Sequence, residues 1–580
     1  MNDAPQTPIS GGSALARTLA DLGVHDVFAL HGGHLDAFLV ACAEHGIRLI
    51  DTRHEATAGH AADAYARATG GIGVAVITAG PGFTNALTPM VSAYLDAIPT
   101  LFIAGAPPLR ETEMNPLQGG FDQVAMATPA TKWAHRITSP DRIPDLVEKA
   151  LRIASSGRPG PVFLEVPIDV MFASVGTPMI PVTASPRRFR PAPSQSAVTK
   201  MLATLSRAQR PIIIAGGGTI LARASEPLRR FVELTGIPVV TNSRAHGILP
   251  HDHANYCGGV GSLGGAVAAG NPPDVVMLAG ARAGLFTGSR SGGVIPHAAT
   301  LMQIDTDAGE IGRLRAVDVP VVADCAESFE VLLREAGGVS WPDLTAWRGI
   351  LQRFRHGLAA LFDNAPTETR PGLLHPYHAA KAAMGALDAG TAIVFDGGES
   401  SAWCDAHLRA AGPGLFMTNG YLGCLGISQG FAIGSAIAHP DRRVAIFTGD
   451  GAVGFNIQEF DTMVRHRLPI LTVVMNNACW GMSQHGQDLV FGSNRRSVVA
   501  LADTNYDQVA VAFGGYGERI DRYDDIVPAV RRALASGLPA CINLIIDPDV
   551  VHPVTPAMVG NVKAKDEIAI PYYENLPNRK

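Results

Sequence analysis

The sequence predicts an α/β protein of three doubly wound domains, each a parallel sheet covered by helices on both faces. Three observations carry that prediction. Short apolar runs of strand length alternate with helix-length stretches along most of the chain, the pattern of parallel strands joined by helical crossovers. Glycine-rich turns follow several of the runs, where a strand gives way to a helix. The 580 residues, 47% of them hydrophobic, allow about three or four domains, each with a core of its own. The expected divisions are residues 1–185, 195–340 and 370–550, followed by a tail over 551–580.

In the first block Ser13 can cap a helix that has Leu15, Leu19 and Leu22 on one face. Strands are expected at residues 27–30, 49–50, 74–77, 101–104 and 162–166, and the Pro/Arg-rich stretch 186–193 reads as a linker. The second block repeats the alternation with runs at 212–215, 239–240, 275–278 and 301–305. Its Gly216-Gly217-Gly218 invites a dinucleotide reading, although glycine after a strand is more often simple turn chemistry. The third block opens with a run at 393–395 leading into Asp396-Gly397-Gly398-Glu399-Ser400, a candidate phosphate-side loop. The tail carries Tyr572-Tyr573 near its end and is too irregular for a domain; it reads as a packed ribbon, a frayed end or a lid.

Composition narrows the classes. A net charge of −6 argues against nucleic acid as a partner. No apolar run reaches membrane-spanning length, and Met1-Asn2-Asp3-Ala4-Pro5 lacks the basic and apolar regions of a signal peptide. Seven cysteines without a Cys-x-x-Cys pair offer neither a disulfide framework nor a structural zinc site. The expectation is a cytoplasmic enzyme of small molecules.

The chemistry concentrates in the third block. A short apolar run at 443–448 enters Gly449-Asp450-Gly451, and a second at 468–475 enters Asn476-Asn477. Asp450 and Asn477 are therefore expected at the carboxyl ends of parallel strands joined by one helix, the edge where open α/β sheets bind ligands. The flanking glycines let a ligand approach the backbone, and a helix N-terminus favours an anion. A carboxylate, an amide oxygen and a nearby carbonyl form a hard-oxygen set suited to magnesium, which takes its other ligands from phosphate and water. Gly-Asp-Gly alone is more often a strand–turn–helix with a capping Asp. The asparagine pair at the end of the next strand reverses that preference.

The combination resembles the signature of thiamine-diphosphate-dependent enzymes. The resemblance implies that Asp450, Asn477 and the Cys479 carbonyl hold Mg2+, with Gly449, Gly451, Ala452, Gly398, Glu399 and Ser400 around the cofactor diphosphate. In Asp51-Thr52-Arg53-His54-Glu55 the glutamate alone reads as a favourable first-turn charge. By resemblance Glu55 is the carboxyl group that bonds N1′ of the aminopyrimidine and activates the cofactor. Gly420-Tyr421-Leu422-Gly423-Cys424-Leu425-Gly426 resembles the family segment in which Leu425 wedges the cofactor into its bent shape, while Gly423 and Leu425 address the aminopyrimidine through their backbones. The implied domain order is pyrimidine-binding, middle and diphosphate-binding, as in the acetohydroxyacid synthase and pyruvate oxidase type. The family arrangement implies active sites between subunits of a homodimer or homotetramer.

Within that family, residues 30–36, 51–55 and 117–127 continuing to 132–135 resemble benzaldehyde lyase. That resemblance implies that His34 shuttles protons, as an imidazole titrating near neutrality can. It implies that Gln118 holds a carbonyl or alkoxide without adding charge. It also outlines a substrate pocket of Gly33, Ile168, Ser401, Asn419, Met482, Gln484 and Gly486. Ile168, Ser401 and Gly486 stand where benzaldehyde lyase has aromatic side chains. The expected activity is an aldehyde-lyase and carboligase cleaving and forming 2-hydroxy ketones (acyloins), with aliphatic or hydroxylated substrates preferred to benzoin. The rivals are a 2-oxo-acid decarboxylase or acetohydroxyacid synthase-like enzyme, a nucleotide-binding oxidoreductase using the Gly216 loop, and a catalytically dead binding protein.

Overall fold

The computed structural model describes residues 9–111, 114, 117–175, 189–288, 292–559, 562–564 and 567–568. Three six-stranded sheets follow one another along the chain. The first contains β1 (Asp26–Ala29), β2 (Arg48–Asp51), β3 (Gly73–Ile77), β4 (Thr100–Ala106), β5 (Trp133–Arg136) and β6 (Val162–Pro167), in the order β2-β1-β3-β4-β6-β5. The second contains β7 (Pro211–Ala215), β8 (Val239–Thr241), β9 (Tyr256–Gly259), β10 (Val275–Ala279), β11 (Thr300–Asp305) and β12 (Val319–Val322), in the order β12-β11-β10-β7-β8-β9. A small hairpin, β13 (Glu368–Arg370) and β14 (Leu373–Leu374), precedes the third sheet. That sheet contains β15 (Ala392–Phe395), β16 (Phe416–Thr418), β17 (Val444–Gly449), β18 (Leu471–Asn476), β19 (Tyr516–Ile520) and β20 (Ala540–Ile545), in the order β16-β15-β17-β18-β20-β19.

Every pairing inside the three sheets is parallel. The central strands β3, β4, β7 and β10 are buried at every position, as continuous apolar runs must be when helices cover both faces. In each sheet the strand order reverses near the centre, between β1 and β3, between β7 and β10, and between β15 and β17. Open sheets leave a crevice outside the carboxyl ends of the strands at such a reversal.

Seven helices matter below: α1 (Glu55–Thr69), α2 (Glu399–Asp405), α3 (Ser428–Ala438), α4 (Asp450–Val453), α5 (Glu459–Arg465), α6 (Gly481–Phe491) and α7 (Val554–Val559). α1 of the first domain packs against α3 of the third. A Cβ on Gly434 would lie 2.1 Å from the Ala61 carbonyl oxygen, so only glycine permits this backbone approach. One core accordingly runs through both domains, from Phe28, Ala61 and Phe102 to Phe431, Ile446 and Phe460. The buried Glu459 carboxylate accepts the Arg53 N–H at 3.1 Å, and Arg465 pairs with Asp51 at 2.5 Å across the same seam.

Some local expectations change. Ser10, not Ser13, caps the first helix: its side chain accepts from Ser13 N at 3.1 Å, because the helix begins earlier, at Gly11. Two short helices, α4 and α5, join β17 to β18 in place of one. Residues 186–188 of the expected linker and Tyr572-Tyr573 lie outside the described residues; residues 189–193 form no regular element. Part of the tail forms α7, which packs against α6. Among the described residues no helix is long and apolar enough to cross a membrane.

Candidate functional site

At the reversal in the third sheet β17 delivers Asp450 to the first position of α4, and β18 ends beside Asn477. Asp450 is 3% exposed. Its carboxylate accepts the Gly451 N–H at 3.0 Å and the Cys479 N–H at 3.1 Å. Burial nevertheless pushes its pKa up to about 6, since those two backbone donors do not replace lost hydration. Ala478 has φ +53, an uncommon left-handed conformation for a residue with a Cβ, and it bends the chain between Asn477 and Cys479. The Asn477 amide lies 2.9 Å from the Cys479 carbonyl oxygen and 3.3 Å from Asp450 Oδ1. With its oxygen turned inward, three oxygens face one another with no proton between them, which is what a cation site requires. With its nitrogen inward, the amide donates to both neighbours and the cluster is satisfied without a metal.

Asp396 organises the opposite wall, a role the sequence reading did not assign. It is fully buried and accepts N–H groups from Gly397 at 2.9 Å, Gly426 at 3.0 Å and Ser428 at 3.2 Å. It thereby ties the loop after β15 to the segment that presents Leu425. A Cβ on Gly397 would come within 2.4 Å of Leu425 Cδ2, so glycine is needed for the leucine to reach this position. The available signal was an Asp at a strand end followed directly by two glycines.

These walls enclose a cavity of ≈ 710 Å³. Of the residues singled out by sequence, Gly398, Glu399, Ser400, Ser401, Asn419, Gly423, Leu425, Gly449, Asp450, Gly451, Ala452, Asn477, Cys479 and Met482 line it. Gln484 and Gly486 do not; both are buried within α6, one and three residues beyond Ser483, where the cavity-facing turn ends. His552, Val554 and Met558 contribute a wall from the C-terminal segment, which sequence reasoning left open.

The other expected residues gather at the reversal of the first sheet. Glu55 opens α1, is buried and accepts from Asn85 Nδ2 at 2.9 Å, which places it beside the short helix Pro81–Asn85. His34 lies against Thr78, with Nδ1 3.5 Å from Thr78 Oγ1, and burial lowers its pKa below 6.5. Gln118, at φ +56, abuts Gly80. Gly33 and Ile168 begin short helical turns at the same edge. Gln123, missed by sequence, braces the start of that helix: it accepts from Gly80 N at 2.9 Å and donates to Glu165 at 2.8 Å. None of Gly33, His34, Glu55, Gln118 and Ile168 lines the cavity at Asp450. Within a single chain the expected residues thus form two separate groups.

Three family models match the chain in succession: the thiamine pyrophosphate enzyme N-terminal TPP-binding domain over residues 9–126, the central domain over 198–332 and the C-terminal TPP-binding domain over 396–544. An acetolactate synthase large subunit of Mycobacterium tuberculosis is 33% identical over 554 residues, 95% of this chain and 98% of that protein. The chain belongs to the thiamine pyrophosphate enzyme family. A 2-hydroxyacyl-CoA lyase 2 of Danio rerio is 31% identical over 591 residues, covering 93% of this chain and 92% of its own length. The Escherichia coli acetolactate synthase isozyme 3 large subunit is 29% identical over 537 residues, with 91% and 92% covered.

As a member of this family the protein uses thiamine diphosphate with a divalent metal. The residues present fit that pair. Asp450 is a buried carboxylate short of compensating charge, and the Asn477 amide and Cys479 carbonyl converge on it to complete a hard-oxygen set.

Proposed function

We propose that this enzyme is a thiamine-diphosphate-dependent carbon–carbon lyase and carboligase, similar to benzaldehyde lyase, that cleaves and forms 2-hydroxy ketones from neutral aldehydes. The observation that carries the reading is the charge of the cavity wall. Among the described lining residues stand four carboxylates, of which Glu399, Asp405 and Asp547 are paired with His485, His246 and Arg370 and Asp450 is not, and a single guanidinium, Arg244. Arg244 is engaged by Asp96, 3.1 Å from its carboxylate and 2.9 Å from its carbonyl. His552 is kept neutral near pH 7, its pKa lowered to about 4 by burial. This wall has no cation to spare for the carboxylate of a 2-oxo acid, whose burial without a partner is costly. A neutral carbonyl suits it better.

In this reading Asp450, Asn477 and the Cys479 carbonyl hold magnesium, and the residues of the 398–400 and 449–452 turns hold the diphosphate. Leu425 supports the bend of the cofactor. When bound, thiamine diphosphate supplies a nucleophilic carbon that adds to a carbonyl group. Glu55, held by Asn85, bonds the aminopyrimidine. His34, uncharged at neutral pH because burial lowers its pKa, takes and returns the hydroxyl proton of the 2-hydroxy ketone. Gln118 steadies the carbonyl oxygen. The first-edge half-site does not reach the Asp450 cavity of its own chain, which supports centres shared between two subunits of a homodimer or homotetramer.

The names of the relatives favour a second reading: acetolactate-type synthesis from 2-oxo acids, or cleavage of 2-hydroxyacyl-CoA thioesters. A panel of aliphatic acyloins, benzoin, pyruvate and a 2-hydroxyacyl-CoA, scored for aldehyde, 2-hydroxy ketone and CO2, separates the three. Aliphatic acyloins are expected to lead. Benzoin should lag about tenfold or more, because each lost aromatic partner forfeits about 0.5–1.5 kcal/mol. Acetolactate and CO2 from pyruvate as the dominant products would replace the lyase reading with the synthase one.

A further inference from the structure

Glu399 is an electrostatically unfavourable neighbour for a diphosphate. It lines the cavity beside Ser400, Gly449 and Ala452, where a free carboxylate would repel the ligand. The structure turns it away. His485 Nδ1 lies 2.8 Å and 3.0 Å from its two oxygens, and the Thr555 hydroxyl donates to one of them. On the far side of the ring, His485 Nε2 lies 2.7 Å from the Pro548 carbonyl oxygen. A carbonyl only accepts, so Nε2 carries a proton. Nδ1 facing an ionised carboxylate carries one too, which makes the pair carboxylate and imidazolium, neutral overall. Burial works to lower the His485 pKa, but the hydrogen bond and charge of Glu399 outweigh it and raise the value.

The four groups come from four parts of the chain: Glu399 from α2, His485 from α6, Pro548 from the segment after β20, and Thr555 from α7. His485, Glu399 and Thr555 are all buried. Thr555 is the member that belongs to the C-terminal segment, and its neighbours His552, Val554 and Met558 form the cavity wall on that side. His552 is set in turn against Trp403 of α2, with ring centroids 4.4 Å apart.

We propose that Glu399, with His485 as its counter-charge, is a positioning residue that fastens the C-terminal segment to the cofactor cavity, so that the Thr555 hydroxyl governs how long the cofactor is retained. The proposal rests on the reading that places the cofactor diphosphate at the Asp450 half-site. Thr555→Val removes the hydroxyl at nearly constant volume, Thr555→Ser keeps it, and Glu399→Gln removes the charge that holds His485.

The test uses the full-length enzyme. Two quantities are measured: amide hydrogen exchange over residues 552–558, with and without thiamine diphosphate and magnesium, and the half-time of cofactor loss after rapid dilution. A hydrogen bond to a charged acceptor is worth about ten- to a hundredfold in a local equilibrium. Thr555→Val is therefore expected to raise exchange about tenfold or more and to shorten the half-time in step, with the global unfolding temperature little changed. Thr555→Ser should stay within about twofold of the parent on both, and Glu399→Gln should shift in the direction of Thr555→Val. The proposal is overturned if Thr555→Val keeps parental exchange, if its exchange rises while retention does not change, or if Thr555→Ser behaves like Thr555→Val. Should Glu399→Gln not fold, the Thr555 pair decides alone. Failure of the unmodified chain to bind thiamine diphosphate would sink the functional reading, while exchange in the cofactor-free protein would still judge the fastening.

Discussion

The middle and third sheets place glycine-rich loops at the same topological position, yet one reversal is filled and the other is open. In the middle sheet the 216–218 turn meets the turn after β10: a Cβ on Gly218 would lie 2.8 Å from Gly280 Cα. What remains there is a cleft of ≈ 60 Å³ bordered by Arg244, Arg282 and Asp305. In the third sheet Asp396 ties the 397–398 turn to Gly426, and ≈ 710 Å³ stays open. Glycine after a strand therefore reports close backbone approach without saying to what. In the middle sheet the partner is another backbone, which gives the Gly216 loop a packing role and removes the motive for an oxidoreductase reading.

The largest effect should come from Asp450→Ala. It is expected to abolish magnesium-dependent thiamine diphosphate binding, a greater loss than the roughly 10–100-fold caused by removing a supporting residue. Calorimetric titration with and without magnesium measures it, and parental affinity would erase the contrast between the two sheets. Next, Glu55→Gln should slow proton exchange at C2 of the bound cofactor by about 10²–10⁴-fold. An unchanged rate, followed by NMR in deuterated buffer, would assign activation of the ring to another group.

Two glycine variants test the comparison directly. Gly280→Ala combines φ +53 with backbone atoms 2.7 Å from the new Cβ, and should cost about 2–3 kcal/mol of stability while leaving cofactor affinity alone. Gly398→Ala, at φ +87 with no atom within 4 Å of the new Cβ, should cost about 1–2 kcal/mol and weaken cofactor binding. Urea unfolding and cofactor titration of both proteins read the four values; equal patterns would mean that the two loops serve the same purpose.

A further effect concerns pH. Burial raises Asp305 in the middle sheet and Asp450 in the third alike, each to about 6. A carboxyl whose folded pKa lies above its unfolded value contributes stability that is fully present below about pH 3.9 and is lost as pH rises through about 6. At pH 7 Asp305→Asn and Asp450→Asn should each stabilise the cofactor-free protein, by about 1–3 kcal/mol. Adding magnesium and thiamine diphosphate should then stabilise Asp305→Asn as it does the parent and leave Asp450→Asn behind. Denaturation across pH 4–8, with and without cofactor, checks this.

Most strands read correctly from sequence are interior ones with an unbroken apolar run, such as β3, β4 and β10, whereas the edge strand β2 was read from Leu49 and Ile50 alone. The unread ones include five sheet edges, β5, β9, β12, β16 and β19. In β5 all four residues are half-buried, and in β12 burial alternates with exposure, so neither makes a continuous run. The interior strand β20 was hidden by Asn543, a buried amide bonded to Asn476 and Asp507. In the site, the Asp450 and Asn477 half was legible because local spacing encodes adjacent strand ends. Asp396, Gln123 and the pairing of Glu399 with His485 were not. Each depends on partners 18 to 86 residues away.

The glycine seam between α1 and α3 also dictates an order of biogenesis. The face of α1 around Ala61 is completed by Gly430 and Gly434, roughly 370 residues later in the chain. At roughly 5–20 residues per second of synthesis, the first domain leaves the ribosome with that apolar face bare for about 20–70 s. The long delay makes the newborn N-terminal sheet, rather than the finished enzyme, the species most in need of a holding chaperone.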